Sequence, residues 1–244
     1  MLAEWLSHIV TPCPRHLREM GYLREIIATR ARYGRCRNAW EGHLQETRKA
    51  VLAAAARTDS HKKVTVLGSG LLYDVPLAEL AEIFEDVVLI DIFHMPAVRR
   101  IAAKFKNVRL VAHDVTGVVE PLSRSKTPAP CGELPEGDAN LVVSVNLLTQ
   151  LSYLPGRIVE DAKTYSRAIM DHHIEQLAAT SATTCLVTEV EHLVCAQGRV
   201  IERTDPTHGI SLGAPDAEWF WDIAPHPELH RKYDIRYRVI AKIS

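Results

Sequence analysis

From His61 onward, short continuous apolar runs alternate with segments whose apolar residues recur at helical spacing. The runs are Val64 to Leu67, Val87 to Ile92, Val108 to Ala112, Leu141 to Val145 and Cys185 to Val190. They have the length and composition of strands buried on both faces, as in a parallel sheet covered by helices. Between them, Leu77, Leu80, Ala81 and Phe84 share one helical face behind Asp74 and Pro76, and Val98, Ile101, Ala102 and Phe105 share another. A long helix is predicted from Gly156 to about Thr180. Residues 116 to 138, rich in Pro, Gly, Ser and Lys, read as a surface loop. The last two β-like runs, Trp219 to Ile223 and Tyr233 to Ile243, are joined by about ten residues, too few for a parallel crossover. The pattern predicts an α/β fold, a Rossmann-like parallel sheet with an antiparallel C-terminal strand and an N-terminal helical extension.

That extension is residues 1 to 60, ahead of an α/β domain at 61 to 244. It lacks alternating β-branched runs. Leu17, Met20 and Ile27 recur at roughly helical spacing after Pro12 and Pro14. Asn38 and Glu41 have the spacing of a capping box, and Trp40, Leu44, Thr47 and Val51 follow as a stripe. Residues 15 to 49 hold nine Lys and Arg against four Glu. A solvated basic face and an anion-binding lid over the sheet are both compatible with that excess.

Composition narrows the partners. The 244 residues are 47% hydrophobic and 24% charged, enough for one sizeable core. A formal net charge of −1 gives no general attraction to nucleic acid or to an anionic membrane, so a small-molecule substrate is expected. No apolar run approaches the roughly 20 residues of a membrane helix, and Glu4 and His8 do not suit a secretory leader, which makes a cytoplasmic location the expectation. The five cysteines are scattered without a C-x-x-C pair, so neither a disulfide framework nor a zinc knuckle is indicated. Asp171-His172-His173 and His226 with His230 have metal-ligand residue types but no complete set, and no metal is expected.

The candidate chemistry lies where strands end, since open α/β sheets bind ligands at the carboxyl ends of their strands. Gly68-Ser69-Gly70 follows the first run, Asp91 ends the second and lies 21 residues past Gly70, and Asp114 follows the third. Asn146 and Gln150 follow the fourth run, and Glu189-Val-Glu191-His192 the fifth. Glycine allows a tight turn and close approach of the backbone to a ligand, and a carboxylate at Asp91 can accept both hydroxyl hydrogens of a ribose.

With the antiparallel ending, these residues resemble the class I S-adenosylmethionine-dependent methyltransferases over residues 61 to 244. The resemblance implies S-adenosylmethionine as cofactor, held by Gly68, Ser69, Gly70, Asp91 and, at the adenine, Asp114. It places Asn146, Gln150 and Glu189 beside the transferred methyl as substrate-orienting groups and a candidate base. The family's acid-x-Gly-x-Gly-x-Gly is only half present, because Val66 replaces the acid and Leu72 the third glycine. Three other readings stay open: a nicotinamide-dependent oxidoreductase, whose third glycine would fall at Tyr73; aminocarboxypropyl transfer from the same sulfonium; and a non-catalytic binding protein of the same fold.

Overall fold

The computed structural model describes residues 2–135 and 137–244. Three helices lead the chain: α1 (Leu2–Val10), α2 (Arg15–Met20) and α3 (Tyr22–Ala56). The sheet follows as β1 (Lys63–Leu67), β2 (Asp86–Asp91), β3 (Val108–Ala112), β4 (Leu141–Val145), β5 (Thr183–Ala196), β6 (Arg199–Thr204), β7 (Ala217–Ala224) and β8 (Asp234–Ile243). Between its strands lie α4 (Leu77–Ile83), α5 (Pro96–Ala102), α6 (Val119–Ser123), α7 (Leu148–Tyr153) and α8 (Ala162–Ala179).

The strand order is β3-β2-β1-β4-β5-β8-β7, with β6 paired to the outer half of β5. β1 to β5 are mutually parallel, β8 runs antiparallel between β5 and β7, and β7 pairs antiparallel with β8. Alternate residues feed the two faces. Val64, Val66, Val87, Leu89, Leu141 and Val143 pack with α3 and α4, whereas Leu67, Val88, Ile90, Val142 and Leu186 pack with Leu148, Met170 and Leu177 of α7 and α8.

Three local expectations need correction. Instead of starting afresh at Asn38, α3 is continuous over 35 residues and kinks at Cys36, whose φ/ψ of −106°/18° is not helical. Its stripe of Trp40, Leu44, Thr47 and Val51 is buried as the spacing predicts. The long helix starts at Ala162, where the Asp161 carboxylate accepts from the Thr164 N–H. The fifth strand continues six residues beyond Val190 and turns into the β6 hairpin, whose second strand is exposed throughout. All five cysteines are free, and no helix among the described residues is long and apolar enough to cross a membrane.

Most of the N-terminal arginines act as ties. Arg18 caps the end of α1 at the carbonyls of His8 and Thr11, and Arg30 reaches Ser7 Oγ at 2.6 Å. Arg35 grips both carboxylate oxygens of Glu228, in the β7–β8 loop, at 2.7 and 2.8 Å. Arg48 bonds the Tyr73 carbonyl, and Arg57 pairs with Asp216 at 2.7 Å. These bonds tie the N-terminal helices to one another, to the loop after β1 and to both ends of the β7–β8 pair rather than leaving a free basic face.

Candidate functional site

The glycine loop is built by backbone conformation. Gly68 and Gly70 take φ of +74° and +52°, and Leu72 takes +64°, the left-handed value open to a glycine at the position where the family pattern has one. The N–H groups of Gly68 and Ser69 both donate to the Ile90 carbonyl, anchoring the loop to β2. A Cβ on Gly68 would lie 2.8 Å from Leu147 Cβ, so this glycine is needed by the packing itself. The corresponding direction at Gly70 is open, with Gly68 O the nearest atom at 3.7 Å. Ser69 Oγ is buried with no partner.

Gly70 N–H donates to Asp91 Oδ2 at 2.8 Å, which joins two of the sequence-predicted residues directly. Burial pushes the Asp91 carboxyl above its ordinary range, opposed by N–H donation from Gly70, Ile92 and Phe93 and by the nearby His94. His94 is itself buried, with Nε2 3.1 Å from the Val111 carbonyl and Nδ1 unpartnered. Asp114 is engaged by its own loop. Oδ1 accepts from the N–H and hydroxyl of Thr116, and Oδ2 from the Val119 N–H at 2.9 Å. Across the crevice, Tyr22 at the start of α3 faces both acids, and burial, then Asp114 and Asp91, raise its phenol above the ordinary value.

A second set gathers at the ends of β4, β5, β7 and β8 beneath α3. Asn146 sits at φ +48°, with its amide Nδ2 2.6 Å from Asp74 Oδ2 and 3.2 Å from His43 Nε2. Asp74, expected to cap α4, therefore bonds across to β4; α4 begins behind Pro76 without a side-chain cap. Trp219 Nε1–H donates to His43 Nδ1 at 3.0 Å, and the His43 ring stacks on Trp221 at 3.9 Å and 4°.

Glu189 is only 2% exposed. It accepts from the Thr149 hydroxyl, and His192 Nε2 lies 3.8 Å from its Oε1. A bulge between Glu189 and Glu191 breaks the usual alternation, so that Glu191 instead meets Arg238 and Arg203. His192 stacks on Tyr237 at 3.9 Å, and burial, then Glu189, pushes the Tyr237 phenol up to about 12. Gln150 is exposed on α7 and takes no part in these bonds. The sequence reading missed His43, Asp74, Thr149 and Tyr237. Only their positions beside strand ends and on a buried stripe could have signalled them.

Buried polar atoms without a hydrogen bond at this end of the sheet include Asn146 Oδ1 and Trp221 Nε1, with Arg32 Nε, 3.9 Å from Glu228 Oε1, and His192 Nε2; others lie elsewhere, at Thr47, Thr65, His173 and Gln176. Such atoms are uncommon in folded proteins and call for a ligand or a water. No group of three His, Cys, Asp or Glu able to hold a metal occurs among the described residues. His173, from the Asp171-His172-His173 run, is buried against Ser144 Oγ at 2.9 Å.

Burial lowers His43 to about 3 and His173 to about 4 from an ordinary 6.5. Between pH 6.5 and about 4, the unfolded chain binds a proton at each site that the folded chain refuses. Stability therefore rises with pH in this window, by about 1.4 kcal/mol per pH unit for each histidine. Urea unfolding of the wild type and His173→Gln should show their stability difference narrowing by about that slope as the pH falls from 6.5 to 4.5. A constant difference would contradict the burial argument.

No protein-family model and no curated protein matches the chain. Among solved structures it is similar to the 1,6-didemethyltoxoflavin-N1-methyltransferase of Burkholderia thailandensis with bound 1,6-didemethyltoxoflavin and S-adenosylhomocysteine. Identity there is 15% and TM-score 0.42, over 93% of this chain and 91% of that one. It is similar also to the magnesium protoporphyrin IX methyltransferase of Synechocystis PCC 6803 with bound S-adenosylmethionine, at 11% identity and TM-score 0.39 over 98% and 90% of the chains. A third is the N-methyltransferase NodS of Bradyrhizobium japonicum with S-adenosylhomocysteine, at 13% identity and TM-score 0.36 over 80% and 86%. The likeness is one of fold, and at these values nothing about the chemistry of the chain rests on it.

Proposed function

We propose that this protein transfers the methyl group of S-adenosylmethionine to a small-molecule acceptor. The observation that carries the reading is the sheet. Beyond β5, the order continues with the antiparallel β8 inserted before β7, whereas a classic dinucleotide-binding sheet continues 4-5-6 in parallel. On this sheet the glycine loop and Asp91 are tied together at the ends of β1 and β2.

The residues fit the cofactor. Gly70 leaves open the space its Cβ would fill, Ser69 Oγ is a buried group still lacking a partner, and Asp91 is a half-buried acid at the strand end. The Gly68–Gly70 loop would take the methionine portion, Asp91 the ribose, and Asp114 the adenine edge through lone pairs its own loop leaves over. The sulfonium supplies an activated methyl, so the protein mainly aligns the acceptor and excludes water. Asn146 orients the acceptor. Glu189 and His192 accept its proton where one must be lost, and Gln150 lies at the rim. α3 and Tyr22 close the crevice as a lid, within the helical segment assigned to residues 1 to 60.

Calorimetric titration with S-adenosylhomocysteine and, in parallel, NAD decides between methyl transfer and nicotinamide chemistry. Saturable binding of the first alone is expected, and binding of NAD alone would overturn the proposal. The two glycines should separate in the same assay. Gly68→Ala combines a left-handed backbone with a 2.8 Å contact and should cost about 1–3 kcal/mol of stability without ligand. Gly70→Ala should lower Tm less but lose most of the ligand-induced rise. A full ligand-induced rise in Gly70→Ala would show that the loop does not cradle the cofactor.

A further inference from the structure

With ordinary protonation the Asn146 amide nitrogen cannot face both His43 and Asp74, and the way the conflict resolves says what the site recognises. Indole Nε1–H can only donate, so His43 Nδ1, 3.0 Å from Trp219 Nε1, is an acceptor. A neutral imidazole carries one proton, which then sits on Nε2. That N–H points at an atom of the Asn146 amide 3.2 Å away, and the atom has to be an oxygen. The two ends of an amide are nearly isosteric, and the hydrogen-bond network assigns them. With oxygen in that place, its 2.6 Å neighbour Asp74 Oδ2 must donate a proton.

We propose that Asp74 is a neutral carboxylic acid that donates, together with His43 Nε2–H, to the Asn146 carbonyl, so that Asn146 presents its NH2 to the acceptor, which meets it with a carboxylate, phenolate or carbonyl oxygen. The choice of acceptor rests on the methyl-transfer reading; the proton arrangement does not. Burial raises the Asp74 carboxyl and prevails over the opposing hydrogen bonds from an Asn146 amide nitrogen and from its own backbone N–H and over the charge of Arg48 on α3, whose guanidinium bonds the Tyr73 carbonyl; with the amide exchanged the first of these is gone. His43, the other titratable group facing Asn146, is neutral at ordinary pH.

The exchange turns the orphaned Asn146 atom from an acceptor into a donor. It then matches another buried group without a hydrogen-bond partner at this end of the sheet, the indole N–H of Trp221, stacked on His43; Arg32 Nε–H, which also lacks a hydrogen bond, lies 3.9 Å from Glu228 Oε1. Each can only donate. His192 Nε2, also without a hydrogen bond, faces the Glu189 carboxylate at 3.8 Å. Such donors suit an oxygen-bearing acceptor and disfavour an amine, whose N–H groups would meet other N–H groups.

The test uses full-length protein with 15N-labelled histidine and asparagine side chains and 13C-labelled aspartate carboxyls. At pH 7 the spectrum should show His43 protonated on Nε2 and Asp74 as a neutral acid, with Trp219→Phe releasing His43 from that single tautomer. An Nδ1-protonated His43 or an ionised Asp74 would overturn the arrangement. Benzoate and aniline are then titrated with S-adenosylhomocysteine present. Shifts of the Asn146 NH2 signals with benzoate and not aniline are expected; shifts with aniline alone, or with neither, would overturn the acceptor assignment. If S-adenosylhomocysteine itself does not bind in calorimetry, the methyl-transfer reading fails while the His43 and Asp74 result stands separately.

Discussion

Asp91→Ala should weaken S-adenosylhomocysteine binding by roughly 30- to 1000-fold, corresponding to about 2–4 kcal/mol for two hydrogen bonds to a charged acceptor. The same carboxylate holds the Gly70 N–H at 2.8 Å and lies beside buried His94. Its loss therefore also leaves the glycine loop short of an acceptor, and a fall in Tm without ligand should accompany the loss of binding. Asp91→Asn separates the two effects. An amide oxygen can still accept from Gly70 but offers the ribose no charge, so this variant should keep most of its Tm while remaining weak in calorimetry. Unchanged affinity in a folded Asp91→Ala variant would remove the ribose role.

Much of the scaffold was legible because its parallel strands are buried on both faces and so appear as unbroken apolar runs. Val87–Ile90 is fully buried, and the acid that follows it, Asp91, ends the strand where the spacing placed it. The antiparallel finish was legible from a connection too short for a crossover. The β6 hairpin was not: Arg199-Val-Ile-Glu-Arg-Thr204 is exposed throughout, so no core-facing alternation marks it. Asn38 carries a capping-box signal that the structure does not use, since α3 runs through it from Tyr22 with only a kink at Cys36.

The candidate site divides along the same line. Residues tied to strand ends could be named from spacing alone, as Gly70 and Asp91 were. Residues that reach the site from elsewhere in the fold could not. His43 meets Asn146 across 103 positions and Trp219 across 176, and no local pattern encodes such a contact. Glu189 was found, but its burial was not, because the bulge after it sends Glu189 and Glu191 to different surroundings. In the sequence the two look alike, as alternate acids of one strand.

Trp40→Ala should cost about 3–5 kcal/mol, the usual range for truncating a large buried aromatic, and lower Tm by roughly 6–20 °C in a chain of this size. The indole is 3% exposed, meets Trp221 edge-on at 4.9 Å, and donates Nε1–H to the Ile223 carbonyl at 2.9 Å. Trp40→Phe keeps most of the packing and should lose only about 1 kcal/mol with the hydrogen bond. The pair of variants bears on how α3 works. Leu23, Ile27, Val51, Ala54 and Ala55 of this helix belong to the same core as β1, β2 and β4, so a helix that closes the crevice would also be part of what holds the sheet together. Deleting residues 1 to 56 would then strip the core instead of opening the site. Were α3 a detachable cover, Trp40→Ala would leave Tm where it was and impair turnover alone; a large fall in Tm makes the cover and the core one element, and directs tests of closure to Tyr22, which faces Asp91 and Asp114 from the first turn of that helix.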